Sequence, residues 1–173
     1  SCARVLVERD IKLLVVACNT ASAYALDALR DELAIPVLGV IEPGARAALA
    51  ATHNRRIGVI GTQGTIRSQA YQAALRSLDP SIKVFSKACP LFVPLAEEGW
   101  TDGDVPRLAA AAYLAEFVQH NIDTLVLGCT HYPFLKGAIS YVMGPDVTLV
   151  SSDTETANDV YRQLVSRDLL AGP

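Results

Sequence analysis

Residues 12–23 read KLLVVACNTASA, an apolar run that ends in a cysteine and passes at once into Asn-Thr. An unbroken Leu/Val run followed by small residues predicts a strand buried on both faces, of the kind found where helices cover both sides of a parallel sheet. Residues 125–133, LVLGCTHYP, repeat the arrangement: apolar run, cysteine, threonine, then the start of a helix. The rest of the chain alternates in the same way. Strands are expected at 12–17, 36–41, 56–61, 82–88, 124–128 and 147–151. Helices are expected at 21–33, 43–51, 65–78 and 105–120, with another opening at Pro133 and a last one after Ser152. Asp104 is the expected N-cap of the 105–120 helix, with Pro106 in its first turn, and Ser152 and Glu155 have capping-box spacing. The pattern reads as an α/β fold.

The composition sets limits on function. The 173 residues are 51% hydrophobic and 19% charged, enough apolar surface for a sizeable core. The net charge is −3 and no dense Lys/Arg run exists, so nucleic acid is not an expected partner. No apolar run reaches the length of a membrane span. The cysteines Cys2, Cys18, Cys89 and Cys129 are widely spaced without a C-x-x-C pair, which favours reduced thiols in a cytoplasmic setting. No metal is expected either: Cys129 and His131 lie two apart, but no second ligand pair has usable spacing.

Superimposing the two cysteines exposes an internal repeat. Each is followed by a helix and then by a second apolar strand at nearly the same distance, PVLGVI in one copy and VTLVSS in the other. The expected architecture is two pseudo-symmetric lobes, each a mostly parallel sheet flanked by helices, with the active site in the cleft between them. Residues 1–41 with 151–173 form the expected first lobe and 42–150 the second.

Ligands of open parallel sheets bind beyond the carboxyl ends of the strands, next to the following helix N-termini. Cys18 and Cys129 both fall at that edge and are expected to face each other, unbonded, across the cleft. Backbone N–H groups there, with Asn19, Thr20 and Thr130, can hold a carboxylate, and a helix N-terminus lowers a thiol's pKa. A lone cysteine in such a run is more often simply a small core residue. Two in matching contexts favour chemistry, whereas Cys2 and Cys89 keep the bland reading. His131 can cap its helix or serve Cys129 as a proton partner. Thr62 and Thr65 can be turn and cap residues, and Glu97 and Glu98 solvated charges.

VVACNTASA, GVIEPGARAA, IGVIGTQGTIRSQAYQ, CPLFVPLAEEGW and LVLGCTHYPF occur in order along the chain. Together they resemble glutamate racemase, over a stretch from about Val5 to Leu164. The resemblance implies cofactor-independent interconversion of L- and D-glutamate, supplying D-glutamate for peptidoglycan. It implies that Cys18 acts on D-glutamate and Cys129 on L-glutamate, with His131 assisting the second thiol and Glu98 as the acidic residue on that side. It further implies that Asn19, Thr20, Thr62, Thr65, Thr130 and His131 hold the substrate. A homodimer is an open option for assembly. The family's opening Asp-Ser-Gly strand and Pro-Tyr-Gly loop do not occur in these residues, so part of the first lobe is expected to be missing. Two alternatives follow: an aspartate racemase or other member of the same two-cysteine superfamily, and an inactive amino-acid-binding fragment.

Overall fold

The computed structural model describes residues 2–170. After α1 (Cys2–Val7), the strand β1 (Leu14–Val16), the helix α2 (Asn19–Glu32) and the strand β2 (Val37–Gly39) form a β–α–β unit. Its strands pair in parallel, with Leu14 opposite Val37. The second sheet takes β3 (Arg56–Gly61), β4 (Lys83–Ala88), β5 (Thr124–Gly128) and β6 (Thr148–Val150), in the spatial order β4-β3-β5-β6. All its pairings are parallel, with Thr124 opposite Thr148. The chain is therefore α/β with two parallel sheets and flanking helices. The repeat read around the two cysteines is real at this level, since β5 and β6 also enclose a helix and pair in parallel. Residues 1 and 171–173 of the expected first lobe lie outside the described residues.

The strand sequences explain the layers. On β5, Leu125 and Leu127 face one core and Val126 the other, as the two-residue period requires. One core is closed by α7 (Asp104–Gln119) and α8 (Lys136–Met143) through Leu114, Phe117 and Ile139. The other is closed by α3 (Ile41–Ala51) and α5 (Ala70–Leu78) through Ala45, Ala48, Tyr71 and Leu75. Strand β1 is only half-buried and, among the described residues, pairs with β2 alone. Its counterpart β5 lies between two strands and is buried throughout.

Several boundaries differ from the sequence reading. The expected helix 65–78 is two helices, α4 (Gln63–Ser68) and α5, broken at Gln69 with φ 57°. Ser68 causes the break by local competition for the backbone, since its hydroxyl donates to Thr65 O and accepts from Ala70 N. Asp104 is the first helical residue of α7 and not its cap; Gly103, at φ 91°, holds the cap position. The capping box at Ser152 does not form. Ser152 precedes α9 (Asp153–Ser166) in a helical conformation without a side-chain cap bond, and Asp153 itself accepts from Thr154 N. Pro133 opens a 3-10 turn (Tyr132–Leu135) before α8 begins. Val40 and Ile41, read as strand, turn instead into the start of α3. The short helix α6 (Phe92–Glu97), anchored by the fully buried Phe92, was not foreseen.

Candidate active site

The carboxyl ends of β1, β3, β5 and β6 gather the polar residues. Cys18 occupies the N-cap position of α2 with an extended backbone, and its side chain makes no cap bond. The thiol is therefore spare for other work, and it is exposed. Asn19, the first residue of α2, is 3% exposed, and its Oδ1 accepts a 2.7 Å hydrogen bond from the Tyr71 hydroxyl. One residue on, the Thr20 hydroxyl lies 2.7 Å from Thr62 Oγ1 and 2.9 Å from Thr65 Oγ1. Thr62 and Thr65 are themselves 3.1 Å apart, and Thr62 caps α4 by accepting from Thr65 N. Three hydroxyls thus form a triangle that joins α2 to the turn after β3. Gly64 makes the approach feasible, because a Cβ there would stand 2.9 Å from Thr20 Cγ2. Tyr24 adds a hydrogen bond to Gly64 O at 3.2 Å.

Cys129 follows β5 and is almost wholly buried. Burial pushes its thiol pKa up, and a charge on Cys18 acts in the same direction. The backbone N–H groups of His131 and Tyr132 and the Thr130 hydroxyl oppose the rise without cancelling it. The lowering expected from a helix N-terminus is thus present at Cys129, but desolvation outweighs it. Both thiols are unbonded. His131 Nδ1 lies 3.7 Å from Cys129 Sγ, and its Nε2 lies 3.3 Å from Glu97 Oε1.

That last contact departs from expectation. Glu98 was the expected acid on this side; it terminates α6, with its backbone N–H bonded to Pro94 O, and its carboxylate has no ion pair among the described residues. The last turn of α6 brings Glu97 to His131. Sequence reasoning had set the two acids side by side but had no helix with which to orient them. Tyr71 was missed altogether. A tyrosine at a core-facing helical position carries no sign that its hydroxyl meets a polar side chain.

A cavity of about 510 Å³ lies against Cys129, lined also by Asn19, Thr130, Phe134, Ser152 and Thr156. It is large enough for a small amino acid. A second cavity of about 540 Å³, between α2, α3 and α5, holds neither cysteine, so the chemistry points to the first, which Cys129 lines and Cys18 does not. Among the described residues no three His, Cys, Asp or Glu side chains assemble as a metal site, and no helix is long and apolar enough to cross a membrane.

Comparison with known proteins matches residues 2–160 to the family described as Asp/Glu/Hydantoin racemase. The glutamate racemase of Geobacter metallireducens is 59% identical over 165 residues, covering 95% of this chain and 61% of that protein. That of Lactiplantibacillus plantarum is 56% identical, covering 90% of this chain and 57% of its own length. The chain thus spans about three fifths of the curated relatives it matches. Among solved structures, glutamate racemase isoform RacE1 from Bacillus anthracis superimposes with a TM-score of 0.93 at 46% identity, covering 98% of this chain and 64% of that one. The Francisella tularensis glutamate racemase in complex with D-glutamate gives 0.91 at 38% identity, with 99% and 64% covered. An aspartate racemase from Picrophilus torridus, 18% identical with a TM-score of 0.68, shares the fold.

Proposed function

Since this chain belongs to the Asp/Glu/Hydantoin racemase family, we propose that it takes part in racemising glutamate by a cofactor-independent, two-thiol mechanism. The observation that carries the reading is the paired placement of Cys18 and Cys129 after equivalent strands, with the hydroxyl triangle and Asn19 beside one and His131–Glu97 beside the other. The glutamate racemases at 50–59% identity favour glutamate over aspartate, because the aspartate racemases share only the fold.

The difficulty of the reaction is the weak acidity of an amino-acid α-hydrogen, so the carbanion-like state needs preorganised stabilisation. Thr20, Thr62 and Thr65 supply it in part. Their hydroxyls lie within hydrogen-bond distance of one another and can turn outward to a carboxylate, with Thr130 and Asn19 contributing from the cavity wall. From D-glutamate, the Cys18 thiolate takes the α-proton while the Cys129 thiol delivers its own to the opposite face. From L-glutamate the roles reverse. One C–H bond breaks, one forms, and the proton left on the first thiol returns to solvent. His131 takes or supplies the Cys129 proton, and Glu97 orients its ring. Burial raises the Cys129 thiol above the ordinary value of roughly 8.5, so forming its thiolate relies on His131 accepting the proton.

The same reading assigns residues 1–41 with 151–173 and residues 42–150 to two lobes that meet at this site, in a cytoplasmic protein that supplies D-glutamate for peptidoglycan. A homodimer is the assembly to test by light scattering. The functional test is polarimetry of L-glutamate with the dialysed chain and no added cofactor. Rotation should decay to zero from either enantiomer. Glutamate binding without turnover would make the chain an amino-acid-binding unit, and faster decay with aspartate would change the substrate.

A further inference from the structure

Tyr71 lies at the point where the two cysteine-bearing segments meet. Its ring is 1% exposed, and it fits there because two neighbours lack side chains. A Cβ at Gly44, in the first turn of α3, would be 2.9 Å from the phenol oxygen. A Cβ at Gly128, the residue before Cys129, would be 3.2 Å from Cε2 of the ring. The ring therefore rests against the Cys129 segment, while its hydroxyl donates to Asn19 Oδ1, next to Cys18, at 2.7 Å.

The amide geometry has a chemical consequence. A side-chain amide has an acceptor end and a donor end that diverge from one planar carbon, so a partner holding one end fixes where the other points. With Oδ1 engaged by Tyr71, Nδ2 is the end of the amide left for the cavity that Asn19 lines with Cys129 and Thr130. Among the described residues no protein acceptor takes Nδ2. A buried amide with one end clamped and the other left for a cavity is built to donate to a ligand.

We infer that Tyr71 is a positioning residue, whose hydroxyl clamps the Asn19 amide so that its N–H groups donate to a carboxylate of the ligand and not its oxygen to an ammonium. The proposal rests on the reading of the site as one for glutamate. The phenol supports the role by staying protonated: burial raises its pKa well above the usual tyrosine value, so it remains a donor across the accessible pH range.

The experiment combines side-chain amide NMR with calorimetric binding of D- and L-glutamate to the full chain. In the wild type the Asn19 Nδ2 pair, assigned by its loss in Asn19→Ala, should be rigid on the nanosecond scale. In Tyr71→Phe, which keeps the ring and removes one oxygen, it should become mobile, and glutamate affinity should fall about tenfold. Asn19→Ala should weaken binding similarly, and the double variant should be no weaker than Asn19→Ala alone. Additive losses, or an Asn19 pair equally rigid in Tyr71→Phe, would overturn the proposal by reducing Tyr71 to a packing residue. Asn19→Asp gives an independent arm that does not depend on how well Tyr71→Phe folds. It keeps the acceptor for Tyr71 but replaces the donor with a negative oxygen, so glutamate binding should be lost. Retained or tighter binding would show that the oxygen end meets an ammonium, and would overturn the donor assignment. If the wild type bound no glutamate while the Asn19 pair still loosened in Tyr71→Phe, the clamp would stand and the glutamate reading would fail.

Discussion

His131 Nε2 stands 3.3 Å from Glu97 Oε1, on the side of the ring opposite Cys129. The neighbouring acid, Glu98, is the C-cap of α6 and makes no ion pair among the described residues. Substitution separates the two acids. His131→Asn should slow α-proton removal from L-glutamate by about 10²-fold or more, the scale of general acid–base help. Glu97→Gln should cost much less, about three- to tenfold, because its side chain is 62% exposed and the pair is screened by water. Glu98→Gln should leave the rate within twofold. Primary isotope effects with α-deuterated L- and D-glutamate give the comparison, and an effect of Glu98→Gln larger than that of Glu97→Gln would reverse the assignment.

The thiols should differ sharply in reactivity. Cys2 and Cys18 are exposed, Cys129 is nearly buried with a raised pKa, and Cys89 is fully buried with its thiol pushed up to about 12. Burial is the main cause in both raised cases. Iodoacetamide at neutral pH should therefore label Cys2 and Cys18 first, Cys129 more slowly, and Cys89 only on unfolding. Because alkylation requires the thiolate, labelling of Cys129 should keep accelerating with pH above the range of an ordinary thiol. Peptide mass spectrometry over time at several pH values reads the order directly.

Asp123 predicts an acid limit on stability. Burial alone would raise its pKa, but the Thr52 hydroxyl, the backbone N–H groups of Asn54 and His53, and the Thr124 hydroxyl donate to it and bring the net shift below the usual carboxylate value. These bonds tie the loop after α3 to the start of β5. A folded-state pKa below the unfolded one means stability present above the unfolded value near 3.9, and lost as pH falls through the folded value. Asp123→Asn should cost about 0.5–1.5 kcal/mol at pH 7, because water can reach the donors it leaves facing an amide N–H₂. It should also flatten the acid limb of the stability curve. Urea unfolding at pH 7 and between pH 5 and 2 checks both.

Much of this architecture was legible in the strands. KLLVVA and TLVLG could be read as parallel strands because covered strands need no polar alternation, and the two cysteines marked their carboxyl ends, but only TLVLG is buried throughout and β1 is half-buried. What escaped depended on side chains meeting across the fold or on local competition for the backbone. Ser68 breaks a helix that periodicity predicts to be continuous. Six residues with a proline, 92–97, give too short a pattern to announce α6, so the direction of Glu97 could not be foreseen. The Tyr71–Asn19 bond joins residues 52 apart in sequence and leaves no local trace.

The central claim is that two thiols act from opposite faces, and the isotopic content of product and substrate at early time tests it most directly. Racemisation of α-protiated L-glutamate is started in deuterated water and sampled below a tenth of conversion, with ¹H NMR and mass spectrometry of the separated enantiomers. The account predicts that the D-glutamate formed carries deuterium at Cα from the first turnover, because its hydrogen comes from a solvent-equilibrated Cys18 thiol. The remaining L-glutamate should stay protiated over the same interval. D-glutamate that retained the original proton would mean one base serving both faces, and would contradict the assignment of Cys18 and Cys129 as an opposed pair.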